Sequence, residues 1–214
     1  MSNLGRRVVT ALILVPVFLA ALFLLSGWVF AVFLGMILLL AVWEWGGLCA
    51  LDATGRWLWL LFCGALATGL YLLDWLWLTA LVGVVFWLLA SIAVIVFPRG
   101  RALWASSARL GVGALVLIPA WASLSVVHGL SHGPWLVLWI MLVVWGSDIG
   151  GYFVGRTWGR YKLAPAVSPG KTVEGLLGGV GVALALSLLM VAAAGLLFSA
   201  IVPVVLITLL VVAA

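Results

Sequence analysis

The chain has 214 residues, of which 68% are hydrophobic and 7% charged, with a formal charge of +5 and a mean hydropathy of +1.43. Soluble domains carry roughly 25% charged residues, so water is not the main solvent of this chain. Its ten basic residues are scattered between apolar runs, which argues against the clustered basic face of a nucleic-acid-binding domain.

A membrane-crossing helix needs about 20 apolar residues. That ruler predicts spans near 8–25, 28–49, 57–73, 75–97, 110–127, 134–154, 175–198 and 201–214. The first run, preceded by Arg6 and Arg7, has the look of a signal peptide, but so many spans follow it that an uncleaved first helix is the expectation. Breaks carry turn chemistry at Ser26-Gly27, Asp52 to Arg56, Asp74, Pro98 to Arg101 and Gly133-Pro134. The predicted fold is therefore all-α: a polytopic transmembrane helix bundle of about eight spans, with residues 1–214 forming a single transmembrane domain. At about 1.5 Å per residue the run 201–214 reaches only ~21 Å of a core of about 30 Å. The expectation is that this last span is incomplete and the sequence a fragment. Cys49 and Cys63 lie in or beside apolar stretches without CxxC or Cys/His spacing, so packing is their expected role.

Orientation follows from lysine and arginine placement. Arg6 and Arg7 precede the first span, Arg56 follows the second, Arg99, Arg101 and Arg109 follow the fourth, and Arg156, Arg160, Lys162 and Lys171 follow the sixth. A cytoplasmic N-terminus puts all of them on the cytoplasmic side. The opposite loops then hold Asp74, His128 and His132. The fourteen tryptophans suit aromatic belts at the two interfaces.

Two acids fall within predicted spans, Glu44 in Trp43-Glu44-Trp45 and Asp148. A charge at the centre of a membrane helix costs roughly 2.5–3.5 kcal/mol, less near an interface, and both lie toward the cytoplasmic ends of their spans. Glu44 reads either as an interfacial acid between belt tryptophans or as a functional group. Asp148 opens a more informative stretch, Trp145-Gly-Ser-Asp148-Ile-Gly-Gly-Tyr152-Phe-Val-Gly155-Arg156. Gly151, Gly155 and Gly159 recur every four residues, a stripe that permits close helix packing. Packing accounts for the glycines and leaves the aspartate unexplained.

A polar connection over 155–174, predicted to be a cytoplasmic loop, runs on through Lys162 to Ser168-Pro169-Gly170-Lys171-Thr172-Val-Glu174-Gly175. Thr172 suits the cap of the next helix, with Glu174 in its first turn. Free backbone N–H groups at a helix start suit a phosphate, and Lys171 adds a cation there. A P-loop is ruled out, because GxxxxGK[ST] requires glycine where this chain has Pro165. The bland reading of the whole loop is a positive-inside topology signal.

The run from Trp145 through Asp148, Tyr152 and Gly155, then Lys162-Leu163-Ala164-Pro165, Ser168 to Thr172 and Glu174-Gly175, closely resembles the bacterial phosphatidate cytidylyltransferase (CDP-diacylglycerol synthase) family. Trp43-Glu44-Trp45 is similar to the same family, as is the span pattern. The specific region of likeness covers residues 145–175. The family's later Ser-x-x-Lys-Arg segment and acidic His-Gly-Gly-x-Asp-Arg-x-Asp run have no counterpart in this sequence, so the resemblance implies that a C-terminal catalytic region is missing.

The resemblance implies transfer of a cytidylyl group from CTP to phosphatidate, giving CDP-diacylglycerol and pyrophosphate, with Mg2+ as cofactor, in the bacterial inner membrane. CTP, phosphatidate and the lipid bilayer are the expected partners, nucleic acid is not one, and a homodimer is compatible with the pattern. Asp148 and Lys171 are the expected catalytic residues, Asp148 as metal ligand and Lys171 on a phosphate. Ser168, Pro169, Gly170 and Thr172 would cradle that phosphate. Arg160 and Lys162 are candidates for the lipid or nucleotide phosphates, and Glu174 either joins them or complements the helix dipole. Two readings of another class stand beside this one: a transporter or channel subunit with Asp148 and Glu44 lining a polar path, and an inactive scaffold.

Overall fold

The structure, a computed structural model, describes residues 3–95, 106–165 and 168–193. Seven helices and one short hairpin follow each other along these residues: α1 (Asn3–Leu24), α2 (Gly27–Leu48), α3 (Ala53–Leu72), α4 (Leu76–Ile95), α5 (Ser106–His128), α6 (Gly133–Trp158), β1 (Lys162–Ala164), β2 (Ser168–Thr172) and α7 (Val173–Ala193). The first seven predicted apolar runs each fall on one of the helices. The run 201–214 lies outside the described residues, as do Arg99 and Arg101.

Five helices, α2, α3, α5, α6 and α7, contain stretches long and apolar enough to cross a membrane. The apolar stretches of the other two are shorter, Leu12–Leu24 and Leu76–Ser91. Large apolar side chains point outward along them: Leu24, Leu40, Leu48, Leu72 and Leu89 are all more than half exposed. Contiguous apolar surface on this scale is untenable in water and ordinary against acyl chains, so the chain is an integral membrane protein.

Two compact units divide the chain, Met1–Phe86 with Trp104–Val137, and Trp87–Leu103 with Leu138–Ala214. In the first unit α2 is the hub. Its buried residues Phe30, Leu34, Leu38, Val42 and Gly46 repeat at intervals of four and, with Ala31 beside the first, form one stripe along the helix. Opposite lie buried Ile118, Trp121 and Ala122 of α5 and Cys63 and Ala67 of α3. Two indoles tie α2 to α5. Trp121 donates its Nε1–H to the Ala31 carbonyl at 2.9 Å, and Trp45 donates to the Arg109 carbonyl at 2.9 Å. One bond lies near the start of α2 and the other near its end, with the reverse order on α5, so the helices run antiparallel.

His128 closes α5 and is buried. Its ring stacks on Phe30 with centroids 3.9 Å apart, and its Nε2 lies 3.0 Å from the Leu22 carbonyl. A carbonyl only accepts, so Nε2 carries the proton. At the opposite end of α2 the chain turns at Ala50, with φ of 59°. Asp52 caps α3 by accepting the Gly55 N–H at 2.8 Å. Arg56 reaches back over Trp43, 5.7 Å from its ring centroid, and donates to the Leu51 carbonyl at 3.3 Å. Glu44 between the two tryptophans is exposed.

The indole staples can be weighed against packing. Interhelical hydrogen bonds in membranes average about 0.6 kcal/mol, with a maximum of about 1.7, whereas truncating a buried Trp costs roughly 3–5 kcal/mol in protein cores. Thermal unfolding of the detergent-solubilised protein should therefore show Trp121→Phe within about 2 kcal/mol of wild type and Trp121→Ala well below it. Equal losses in the two variants would mean that the hydrogen bond, not the ring, holds α2 to α5.

Candidate functional site

In the second unit α6, from Leu138, and α7 run antiparallel along a glycine-lined seam. A Cβ on Gly150 would meet Val182 Cγ2 at 2.6 Å and the Gly178 carbonyl oxygen at 3.0 Å. One on Gly175 would meet the Gly151 carbonyl oxygen at 2.9 Å and Gly155 Cα at 3.2 Å. One on Gly179 would meet the Ser147 carbonyl oxygen at 2.8 Å. The two backbones touch, and only glycine fits between them. Of the predicted stripe, Gly151 and Gly155 do this packing. Gly159 lies just past the end of α6 and packs against Thr172 and the Gly155 carbonyl.

The stretch after α6 is a hairpin rather than an open loop, and α6 itself runs on to Trp158. β1 and β2 pair antiparallel with Lys162 opposite Thr172 and Ala164 opposite Ser168, the register slipping between the two pairs. Three contacts fasten the hairpin to α7. Buried Thr172 caps the helix, its Oγ1 accepting the Gly175 N–H at 3.1 Å. Val173 donates its N–H to the Tyr161 carbonyl at 2.9 Å. The Glu174 carboxylate accepts the Arg160 N–H at 3.0 Å and the Tyr161 N–H at 3.3 Å. These bonds engage two of the helix-start N–H groups that the sequence offers to a phosphate, and they turn Glu174 toward the backbone of the connecting turn.

An open cleft of about 550 Å³ lies where the seam ends, with Asp148, Gly151, Tyr152 and Arg156 on its α6 wall. Gly170, Lys171 and Thr172 of β2 and Gly175 of α7 line it as well. Asp148 and Lys171 are exposed, and their side chains engage in no hydrogen bond or ion pair among the described residues. The cleft thus brings together Asp148, Lys171, Gly170 and Thr172 of the predicted site. Ser168, Pro169, Arg160, Lys162 and Glu174 lie off its wall, on the hairpin, the turn before it and the first turn of α7. It adds two residues that the sequence left among helix and topology features, Tyr152 and Arg156. The Arg156 guanidinium donates to the Tyr152 hydroxyl and lies 5.8 Å from the centroid of its ring. The signal for them was the interval of four from Asp148, which sets 148, 152 and 156 on one face of α6.

A divalent cation finds one free carboxylate here. No group of three or more His, Cys, Asp or Glu side chains stands together among the described residues. That excludes a protein-built cage from the described residues. It fits an ion such as Mg2+, which is commonly held by one or two carboxylates with water and substrate phosphates completing its shell.

A model of the cytidylyltransferase family matches residues 5–214 of the chain. The phosphatidate cytidylyltransferase of Pseudomonas aeruginosa is 39% identical over 180 residues, covering 83% of this chain and 66% of that protein. That of Haemophilus influenzae is 34% identical over 209 residues, covering 88% of this chain and 73% of that protein. The chain thus spans about two thirds to three quarters of the length of these relatives.

The seam and the clamp are separable by mutation. Gly175→Ala must push the two backbones apart, whereas a Cβ at Gly181 meets nothing within 4 Å and gains about 0.5–1 kcal/mol from helix propensity. Gly175→Ala should lower the melting temperature, with Gly181→Ala unchanged or raised. Glu174→Ala removes a charged acceptor shared by two N–H groups. Amide exchange at Arg160 and Tyr161 should then quicken while α2 and α5 keep their protection. Unaltered exchange there would remove the clamp.

Proposed function

The chain belongs to the cytidylyltransferase family, and on that premise we propose that it transfers the cytidylyl group of CTP to phosphatidate, releasing pyrophosphate and leaving CDP-diacylglycerol. The observation that carries the reading is the cleft itself, which presents an unpaired carboxylate and an unpaired ammonium, Asp148 and Lys171, to one open space.

In this reaction a phosphate oxygen of phosphatidate attacks the α-phosphorus of CTP, and the bond to the β-phosphate oxygen breaks as pyrophosphate departs. The phosphomonoester is largely ionised near neutrality, so proton removal is a small share of the barrier. The larger share is bringing two anions together and stabilising the charge that gathers on the leaving group. Lys171 holds a phosphate group from the β2 wall, with Gly170 next to it letting that group approach the backbone. Thr172 fixes the start of α7, and so the place of Lys171, through its cap. Ser168 and Pro169 form the rest of that strand beside the phosphate. Arg160 and Lys162, outside the cleft wall, draw the polyanion toward its mouth. Asp148 would hold Mg2+, directly or through water, and the ion supplies Lewis-acid neutralisation of the phosphates. Glu174 keeps the turn before the hairpin in place and leaves the cations uncompensated.

The same reading sets the chain in the bacterial inner membrane with a cytoplasmic N-terminus and about eight spans, since that topology puts every lysine and arginine on the cytoplasmic side. CTP then arrives from water and phosphatidate by lateral diffusion. A homodimer is compatible with it.

Membranes containing the protein, incubated with labelled CTP and phosphatidate, should yield labelled CDP-diacylglycerol. Lys171→Ala and Asp148→Asn should each lower that yield by about 100-fold or more, the loss typical of removing one preorganised charge-stabilising group, with membrane insertion intact. Wild-type rates in both variants would sink the site, and no lipid product from the wild type would sink the reaction.

A further inference from the structure

Arg156 belongs, by position alone, to the basic residues that fix topology. Such arginines extend a flexible, solvated guanidinium into the interface. Arg156 does not. Its guanidinium donates to the Tyr152 hydroxyl and rests 5.8 Å from the centroid of the same ring, and both residues line the cleft that holds Asp148 and Lys171. A guanidinium has five N–H donors in a planar fork. The phenol oxygen accepts from one nitrogen, which leaves donors for a bidentate anion. This contact already orders part of the side chain that binding would otherwise have to order.

We infer that Arg156 is a second phosphate-binding residue of the cleft, held for that task by Tyr152 as a positioning residue. The inference rests on the proposed reaction only for which phosphate arrives; the geometry asks for a phosphate monoester or a polyphosphate in either case. Asp148 and Arg156 are eight residues apart, about 12 Å along the helix axis. Asp148, assigned to the metal ion, and Arg156, assigned to a phosphate, therefore stand at different points of the cleft, with Arg156 nearer the end of α6 and Asp148 two turns back. Lys171 faces the same space from β2, so an anion entering the cleft meets a cation on each wall.

Two measurements test this. In steady-state assays Arg156→Ala should raise the KM of one substrate, CTP or phosphatidate, by about 10-fold or more, and which of the two rises identifies the phosphate bound. Arg156→Lys should recover a fraction of the loss, since a point charge lacks the fork. Tyr152→Phe should raise the same KM by a smaller factor while kcat holds. Independently of turnover, inorganic pyrophosphate should raise the melting temperature of the solubilised wild-type protein, and Arg156→Ala should abolish that shift. If wild type makes no lipid product yet shows an Arg156-dependent pyrophosphate shift, the reaction falls and this inference stands. Normal turnover with both KM values within twofold of wild type in Arg156→Ala, or a pyrophosphate shift that survives the substitution, would overturn it.

Discussion

The site depends on one steric constraint, the contact of the α6 and α7 backbones at Gly151, Gly155, Gly175 and Gly179. Lipid gives packed helices no hydrophobic drive toward each other, so close association relies on van der Waals fit and small residues. Once the helices touch there, the connection between them must turn sharply. The capped start of α7 is brought beside the last turns of α6, and the short hairpin is what spans the gap. Asp148, Tyr152 and Arg156 on one helix and Lys171 on the strand then face a common cleft. Side chains at the seam would separate the walls before they altered any chemistry.

Much of this was legible in the sequence because lipid imposes simple rules. Seven apolar runs bounded by Gly, Pro, Asp and Ser became seven helices, and the four-residue glycine interval marked the seam. The hairpin was not legible. Its strands are three and five residues long and contain Pro169 and Gly170, which are depleted in strands. Backbone pairing and bonds to Glu174 hold it, not a pattern of side-chain polarity. Glu174 misled for a related reason. An acid in the first turn of a helix suits the dipole, and nothing local reveals that its carboxylate reaches back to the N–H groups of Arg160 and Tyr161. Arg156 was hidden by redundancy, since a cluster of basic residues at one interface is explained by topology without any of them binding a ligand.

The tryptophans teach the same lesson in the first unit. Counted together they suit interfacial belts, yet Trp45 and Trp121 reach across to carbonyls of a neighbouring helix, and Trp43 lies beneath Arg56. An indole offers a large packing surface and a single donor, which makes it suited to joining two helices whose own backbone groups are already paired. Composition gives the number of such rings but not which of them face protein.

The hairpin also governs where charge stands at the site. An open loop must keep its backbone groups in water, because unpaired N–H and C=O groups are costly in a poorly polar medium. A strand pair closed on itself, and bonded at its base to α7, satisfies some of that demand internally. Lys171 is exposed on that strand, yet paired backbone holds it at a fixed place on the cleft wall. Two short strands thus work as a mount, fixing where a single cation stands without enclosing it.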